Sequence, residues 1–392
     1  MEERGVDQVT EVTGTSWLSR LGQALGGVLI GILAILGSIV LLFWNEGRAI
    51  KTAQGLTEGA GIVRSVSPEH IDSGNNGRLI HVVGNLTTGG PVADPDFGLR
   101  SRAVRLVRTV EMYQWKEEAQ SETRTKLGGS EERTTTYKYA RGWSDKAIDS
   151  TRFKEPRGHT NPTMPYQSRE ALAAGTRLGG YAVPDSLLRG FGEPKPIAAT
   201  EAQANALQIR VNKPVTVMDG VLHVGRDRSQ PAIGDMKVSF AEVPLQKASV
   251  VAAQSGTSFA PFPTHTGTSV ELISAGDVPA ASMFKAAQEE NATLTWILRG
   301  VGALVMFVGF AMILRPLGVV GDVIPFLGDI IRAGTGLVAL ICTVAIAPLV
   351  IAIGWLWYRP LVGIALIVVG AAATWGLTRL ARLRVAHKTA KA

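Results

Sequence analysis

The stretch ALGGVLIGILAILGSIVLLFW at residues 24–44 decides how this chain folds. It holds no charged side chain, and a helix of 21 residues is about 30 Å long, which matches the hydrocarbon thickness of a bilayer. A cleaved signal peptide has a shorter apolar region that ends in small residues, whereas the polar sequence NEGR follows here at residues 45–48. The stretch therefore predicts an uncleaved transmembrane helix, with Trp44 and Arg48 as anchors in the membrane interface.

Three further apolar stretches near the C-terminal end predict transmembrane helices at residues 296–314, 333–358 and 361–378. The Arg-Pro pair at 315–316 is predicted to end the first of them, because proline disrupts helical hydrogen bonding. In the segment 324–332 the apolar residues share one face, which is typical of a short helix lying in the cytoplasmic interface. The anchors expected for these helices are Trp296, Arg299, Tyr358 and Arg359.

Of the 392 residues, 46% are hydrophobic and 19% are charged, a composition more apolar than that of ordinary soluble proteins. By the positive-inside rule, residues 1–23 and 379–392 are expected in the cytoplasm and residues 45–291 on the other side of the membrane. Because the net charge of +7 is concentrated at the membrane end of the chain, nucleic-acid binding is not expected. The basic residues that carry the rule in the tail are Arg379, Arg382, Arg384, Lys388 and Lys391.

The polar region at residues 45–291 has mainly strand-like patterns, which predict a large, strand-rich α+β domain that is extracytoplasmic or lumenal. Residues 104–115 alternate apolar and polar side chains, and residues 134–143 are rich in Thr and Tyr, so the two runs predict a hairpin with a long loop. The pair Asp219-Gly220 predicts a tight turn. The remaining strands are predicted at residues 207–211, 215–218, 221–224, 236–240 and 248–253.

Helices are expected to be fewer in this region. Short ones are predicted at residues 168–174 and 199–206. The sequence DVP at residues 277–279 is typical of a helix start, because proline is favoured in the first turn. The helix that follows over residues 280–291 is expected to continue into the second transmembrane helix.

The sequence contains no recognisable catalytic motif, since HExxH, CxxC, GxSxG and GxxxxGK[ST] are all absent. His159, in the segment RGHTNP at residues 157–162, is the most suggestive candidate, because a His-Thr-Asn cluster can bind a ligand. A loop held by local hydrogen bonds is the alternative that we favour. The single cysteine, Cys342, lies in an apolar run and excludes an intrachain disulfide. We therefore expect no enzyme activity, no cofactor and no metal.

Glycines in the first transmembrane helix recur at the four-residue spacing that lets helices approach closely. The helix-packing candidates are Gly22 with Gly26 and Gly27 with Gly31. These residues contact either a second copy of the chain or the other helices of the same chain, and the sequence leaves both possibilities open. Because the centres of the predicted membrane helices hold no ionisable side chain, a transport pathway is not expected.

Several motifs resemble the transmembrane protein 43 (LUMA) family in the same order along the chain: SWLSRLG at residues 16–22, WNEGRA at 44–49, VEMYQW at 110–115, NP at 161–162 and YRP at 358–360. The resemblance implies a four-pass protein that has its large domain in the lumen, self-associates and has no catalytic residues. For animal relatives it implies the inner nuclear membrane and endoplasmic reticulum, emerin- and lamin-type partners, and a role in nuclear envelope organisation.

The chain is rich in Ala, Gly and Arg, which favours a bacterial member of the family, located in the inner membrane with a periplasmic domain. Emerin- and lamin-type partners are expected only if the chain is eukaryotic. We predict a non-enzymatic membrane protein that contacts the lipid bilayer, forms homo-oligomers and scaffolds or organises a membrane or a complex of membrane proteins. The alternative is a membrane-anchored sensor or lipid-interacting domain.

Overall fold

The computed structural model describes residues 8–359, and the contacts divide the chain into two units. The sheet unit comprises the described residues of segments 8–14, 55–124 and 131–288. The helix unit comprises segments 15–54, 125–130 and 289–359. The predicted fourth transmembrane helix at 361–378 and the basic tail at 379–392 lie outside the described residues.

Three of the helices in the described residues are long and apolar enough to cross a membrane, namely α1, Trp17–Ile62, α4, Ala280–Gly321, and α5, Pro325–Tyr358. They contain the segments predicted at 24–44, 296–314 and 333–358, and each extends beyond its apolar stretch. Because α4 begins at Ala280, the predicted continuity of residues 280–291 with the second membrane segment is confirmed. Two short helices lie in the sheet unit, α2, Asp185–Arg189, and α3, Glu201–Val211.

Helix α4 does not end at the Arg-Pro pair, so the predicted stop at residues 315–316 is wrong. Pro316 lies inside the helix, which continues to Gly321. A proline removes its own donor and disturbs the carbonyl four residues earlier, and in apolar surroundings the other backbone groups are best satisfied by helix. The last turns also pack tightly, since a Cβ at Gly318 would lie 2.8 Å from Cγ of Arg332 in α5.

The segment 324–332 is not a separate helix, which corrects a second expectation. Helix α5 begins at Pro325 and runs without a break to Tyr358, so this segment forms its first turns. Proline at the first helical position loses no intrahelical hydrogen bond and therefore favours a helix start there. Gly334 weakens the helix interior but is not enough to end it.

The described residues form 19 β-strands, most of which lie in the sheet unit. In chain order they are β1 Gln8–Thr15, β2 Arg64–Val66, β3 Leu79–Thr87, β4 Val92–Asp94, β5 Leu99–Ser101, β6 Ala103–Thr125, β7 Glu131–Ser144, β8 Arg169–Leu172, β9 Arg177–Leu178, β10 Tyr181–Ala182, β11 Lys195–Ile197, β12 Val215–Met218, β13 Val221–Val224, β14 Met236–Pro244, β15 Lys247–Ser255, β16 Ser258–Ala260, β17 Phe262–Pro263, β18 Ser269–Val270 and β19 Leu272–Ala275.

Two large sheets organise these strands. An eight-stranded sheet has the order β1-β7-β6-β14-β13-β12, with β11 beside β14 and β8 beside β6. A seven-stranded sheet has the order β19-β15-β16-β10-β9-β3-β2, and its strands β15 and β3 pair antiparallel from Lys247↔Asn85 to Ala253↔Leu79. The predicted strand-rich character of the large domain is confirmed. The side chains buried in its two main cores include Ile80, Tyr181, Phe191 and Val250 in one and Phe97, Met112, Leu207 and Phe240 in the other.

Two predicted hairpins are confirmed. Strands β12 and β13 pair from Val215↔Val224 to Met218↔Val221, and the turn residues Asp219 and Gly220 both have positive φ, as a tight hairpin turn of this kind requires. Strands β6 and β7 are neighbours in the sheet, but both are longer than predicted, so residues 126–130 connect them and the predicted long loop is wrong. Residues 118–124 of β6 are exposed on both faces, so the alternating pattern stops before the strand does.

The helix and strand expectations for two short segments are wrong. Residues 207–211 belong to α3, which Thr200 caps through a reciprocal pair of hydrogen bonds with Gln203. The apolar run was ambiguous because it also fits one face of a helix, and Leu207 is fully buried. Residues predicted as a helix at 168–174 instead contain β8, which pairs with the edge of β6. There, pairing with an existing strand overrides the local preference for helix.

Candidate functional site

The candidate functional site is the polar cluster that follows the apolar stretch of α1 in the helix unit. Asn45 and Glu46 are buried, with 0% and 1% of their surface exposed. Arg299 of α4 meets Glu46 in a bidentate ion pair, in which Nε donates to Oε1 at 2.7 Å and Nη2 to Oε2 at 2.8 Å. Planar bidentate pairs of this kind are among the strongest polar contacts in proteins. The pair therefore connects α1 to α4 at one defined register.

Arg48 extends the cluster toward the start of α4. Its Nη1 donates to Oδ1 of Asn291 at 3.0 Å, and its Nη2 to Oγ1 of Thr295 at 3.0 Å. The amide of Asn45 donates to the backbone carbonyl of Thr295 at 3.1 Å, and the amide of Asn291 to the carbonyl of Ala49 at 3.0 Å. Polar side chains of the two helices thus satisfy each other over two helical turns, which is how buried polar groups avoid a desolvation cost.

Two glycines let α5 approach this cluster. A Cβ at Gly47 would overlap the ring of Tyr358, and a Cβ at Gly354 would lie 3.2 Å from Cβ of Glu46. The ring of Tyr358 also packs against Phe43, with 5.6 Å between ring centroids. Within a single turn of α1, the sequence NEGR therefore supplies the buried carboxylate of Glu46, the close contact with α5 at Gly47 and the guanidinium group of Arg48.

This arrangement is suited to holding helices together. The carboxylate of Glu46 and two of the guanidinium nitrogens of Arg299 are used within the chain, as are the donors of Arg48. Among residues 8–359 no group of three or more His, Cys, Asp or Glu side chains is placed to hold a metal ion. The interactions at this site are ion pairs and hydrogen bonds between α1 and α4.

A second buried ion-pair cluster lies where α4 ends and α5 begins. Asp322 has no exposed surface, and its carboxylate accepts hydrogen bonds from Arg20, at 2.5 Å, and from Arg332. The indole of Trp17 donates to the carbonyl of Val319 at 2.8 Å. A buried carboxylate that is held by two guanidinium groups is strongly favoured over an unpaired one, so this cluster fixes the first turn of α1 against the α4–α5 corner.

The loop at residues 125–130 takes part in this second cluster. Arg20 Nη1 donates to the carbonyl of Gly129 at 2.5 Å, and the backbone N–H of Gly128 donates to the carbonyl of Val323 at 3.1 Å. The loop therefore lies at the N-terminal end of α1. The positive-inside rule put residues 1–23 and 45–291 on opposite sides of the membrane, so for this loop the predicted placement disagrees with the contacts.

His159 lies in the sheet unit, and the structure surrounds it with aromatic side chains. Its ring stacks on Tyr139 with 3.9 Å between centroids and meets Trp115 edge-on at 4.7 Å. Its Nδ1 lies 2.9 Å from the carbonyl of Glu155, whereas the buried Nε2 has no hydrogen-bond partner. The favoured expectation of a loop residue held by local contacts agrees with this geometry.

The sequence of the chain matches one known protein family. The model of the transmembrane protein 43 family matches residues 112–360. The chain belongs to the transmembrane protein 43 family. Transmembrane protein 43 of Homo sapiens is 33% identical over 377 residues, which cover 91% of this chain and 92% of the human one. The protein of the same name from Rattus norvegicus is 33% identical over 368 residues, covering 90% of both chains.

More distant relatives of the transmembrane protein 43 family match over a similar length. The transmembrane protein 43 homolog of Drosophila melanogaster is 28% identical over 364 residues, covering 90% of this chain and 94% of the fly one. No solved structure matches the chain. The resemblance inferred from the motifs is thereby confirmed at the level of the family.

The four packing glycines of this transmembrane protein 43 family member fall into two groups. A Cβ at Gly31 would lie 2.7 Å from the carbonyl oxygen of Gly309 in α4, and one at Gly27 would lie 3.8 Å from Met312. For this pair the contact lies within the chain. In contrast, a Cβ at Gly22 or Gly26 would meet no atom of the described chain, residues 8–359, within 4 Å.

The predicted interface anchors also divide into two groups. Trp44 and Trp296 are 54% and 68% exposed, as residues facing lipid or headgroups are expected to be. Arg48 and Arg299 do not extend freely toward solvent, because partners within the cluster bind their guanidinium groups. The remaining two anchors pack on aromatic rings, Tyr358 against Phe43 and Arg359 over Trp355.

Sequence reasoning identified WNEGRA as a family motif and missed the partners of its polar side chains. Glu46 was not singled out, and Arg299 was interpreted as a cation near a helix end. One signal was available: Glu46 lies just after the apolar stretch 24–44 and Arg299 lies within the stretch 296–314, and charges in or beside membrane segments usually pair with one another.

Proposed function

We propose that this member of the transmembrane protein 43 family is a non-enzymatic membrane protein that self-associates and organises a membrane or a complex of membrane proteins. The observation that carries the proposal is the uncovered glycine face of α1. Gly22 and Gly26 lie one turn apart, and among residues 8–359 no atom of another element lies within 4 Å of their Cβ positions. Leu18, Leu25 and Leu29 flank them and are 72%, 58% and 65% exposed.

Such a face suits contact between two copies of α1. In lipid there is little hydrophobic drive between helices, so association depends on close packing, which glycine allows. The pair Gly27 and Gly31 is already used within the chain, so of the two glycine pairs only Gly22 and Gly26 have no contact with another element of the described residues. Large neighbouring leucines can then pack into the groove that the two glycines leave.

For location, we propose the inner membrane of a bacterium with four crossings and both termini in the cytoplasm. The five basic residues of the tail and the Ala-, Gly- and Arg-rich composition support this placement. Most of residues 45–291 then lie outside the cytoplasm. The contacts of residues 125–130 with the start of α1 disagree with that placement for this loop, so the side of the membrane on which the loop lies has to be measured.

The proposal is tested by the mass of the full chain in mild detergent. We expect the wild-type protein to be oligomeric and the variant Gly22→Ile with Gly26→Ile to shift toward monomer, because contacts of this kind contribute about 1–2 kcal/mol, roughly tenfold in the association constant. The matched control is Gly300→Ile with Gly334→Ile, two glycines that also face no other described residue within 4 Å. A monomeric wild-type protein, or equal masses for both double variants, would contradict the proposal.

A further inference from the structure

A cleft with a volume of about 620 Å³ opens between α4 and α5 in the helix unit. Its size falls within the roughly 300–1,000 Å³ typical of small-molecule sites. The lining is mostly apolar, and Arg299 supplies its charged group. The other residues that line it are Trp296, Pro348, Ile351, Ala352, Trp355 and Leu356.

The end of the cleft beside the polar cluster is cationic. The guanidinium carbon of Arg299 lies 4.6 Å from the centroid of Trp296, and that of Arg359 lies 5.2 Å from the centroid of Trp355. Arg299 uses Nε and Nη2 on Glu46, so its Nη1 has no hydrogen-bond partner among residues 8–359. Within the same range Arg359 forms no ion pair. Donors thus remain at this end for an anion.

We propose that the cleft binds an anionic phospholipid, with an acyl chain against the apolar lining and the phosphate hydrogen-bonded to Arg299 and Arg359. Guanidinium groups match the geometry of phosphate oxygens, and tryptophan rings favour the depth at which headgroups begin. Lys51, whose ammonium nitrogen lies 6.0 Å from the ring centroid of Tyr358, adds positive charge at the same helix ends.

The site is distinct from the glycine face of α1, so this inference does not depend on self-association. It assigns a ligand class to α4 and α5, whereas the proposed function concerns contacts of α1 between copies. The two proposals can therefore fail separately, since one is measured by oligomer mass and the other by lipid preference.

The test uses the full chain in nanodiscs of phosphatidylcholine and phosphatidylglycerol, in which one lipid at a time carries brominated acyl chains that quench tryptophan fluorescence. The difference in quenching between the wild-type protein and a Trp355→Phe variant is the part that comes from Trp355, and it measures how close the brominated chains come to the cleft. We expect brominated phosphatidylglycerol to quench this share more strongly than brominated phosphatidylcholine at equal mole fraction. Arg359→Gln should reduce the preference roughly tenfold, because it removes a charge-assisted hydrogen bond. Arg315→Gln, an exposed arginine outside the cleft lining, should leave it unchanged.

A second pair of variants tests the apolar part of the site. Ala352→Phe places a ring in the cleft and should abolish the preference, whereas Ala345→Phe, at an exposed position of the same helix outside the lining, should retain it. Equal quenching by both lipids overturns the proposal. So does a preference that survives both Arg359→Gln and Ala352→Phe, or a cleft that brominated chains do not reach because residues 361–378 or a second copy cover it.

Discussion

The buried ring of His159 illustrates how a suggestive residue in a sequence can have a packing role. If Nδ1 carries the proton and donates it to the carbonyl of Glu155, then Nε2 presents a lone pair. That atom is buried without a partner in the described chain. The two aromatic contacts, with Tyr139 and Trp115, are consequently the main interactions of this ring besides one hydrogen bond.

The phenol of Tyr139 belongs to the same group of contacts. Its hydroxyl donates to Oε2 of Glu117 at 2.8 Å and accepts from the backbone N–H of Glu155 at 2.8 Å. Burial, together with the hydrogen bond to Glu117, raises the pKa of Tyr139 to about 12. The phenol therefore remains protonated at any physiological pH, and the stacked pair of rings carries no charge from this residue.

Replacement of His159 should separate packing from ligand chemistry. We expect His159→Ala to lower the free energy of unfolding of the sheet unit by about 2–4 kcal/mol, because it leaves a cavity beside two aromatic rings. His159→Phe should cost clearly less, since it keeps the stacking and removes the unpartnered nitrogen. Hydrogen exchange at residues 115 and 139 in the full chain measures the effect, with the exposed His70→Ala as control. If His159→Phe lowers the free energy of unfolding as much as His159→Ala does, the packing explanation is wrong and Nε2 makes a stabilising polar contact.

Among the secondary structure elements, α1 and α4 show how a membrane-spanning pair obtains a unique register. Gly31 and Gly309 allow close backbone approach in the apolar region, and Glu46 with Arg299 supplies a polar contact about four turns farther along. Small residues alone tolerate sliding of one helix past the other. A bidentate ion pair does not, because a shift of one residue separates its donors from its acceptors.

The register role predicts non-additive variants. Arg299→Gln should lower the free energy of unfolding of the helix unit by about 3 kcal/mol, because it leaves the buried Glu46 without its partner. Glu46→Gln should cost about 1–2 kcal/mol, since an amide can still accept a hydrogen bond from the partly exposed Arg299. The double variant should cost less than the two single costs together. Unfolding of the full chain in detergent measures all three, with Arg315→Gln as the exposed control, and strictly additive costs would argue against the coupling.

The same elements indicate what a single sequence can predict. Apolar stretches are long and continuous, so α1, α4 and α5 were expected. Alternation predicted the inner part of β6, the Thr and Tyr content predicted that of β7, and the Asp219-Gly220 turn signal predicted the hairpin of β12 and β13. The boundaries were not predictable, because α4 continues past Pro316 to Gly321 and the segment 324–332 joins α5 without a break, and no local pattern in the sequence indicates either outcome. Partners such as Glu46 and Arg299 are separated by about 250 positions, and no local pattern relates them.

At the scale of the whole molecule, the charge pattern and the contacts disagree about the side of the membrane on which residues 125–130 lie. Charge bias assigns residues 1–23 to the cytoplasm and residues 45–291 to the opposite side. The contacts instead join Gly129 to Arg20, and Gly128 to Val323 in the connection between α4 and α5. Groups that share hydrogen bonds cannot be separated by a bilayer, so only one of these placements holds for this loop.

A cross-linking experiment decides between them. In a Cys342→Ala background, which removes the only native thiol, we introduce Ser16→Cys and Ser130→Cys, each one residue from a contact of the second cluster. The contacts predict that a short bismaleimide joins the two positions in native membranes and that both thiols react from the same side with an impermeant reagent. The control pair, Ser16→Cys with the exposed Thr293→Cys, should not cross-link. Residue 293 lies in the turn of α4 that carries Asn291 and Thr295, the partners of Arg48, and Arg48 is about 45 Å along α1 from residue 16 at 1.5 Å per residue. Labelling of positions 16 and 130 from opposite sides, without a cross-link, would instead support the charge rule, and the loop contact would then be absent in the membrane.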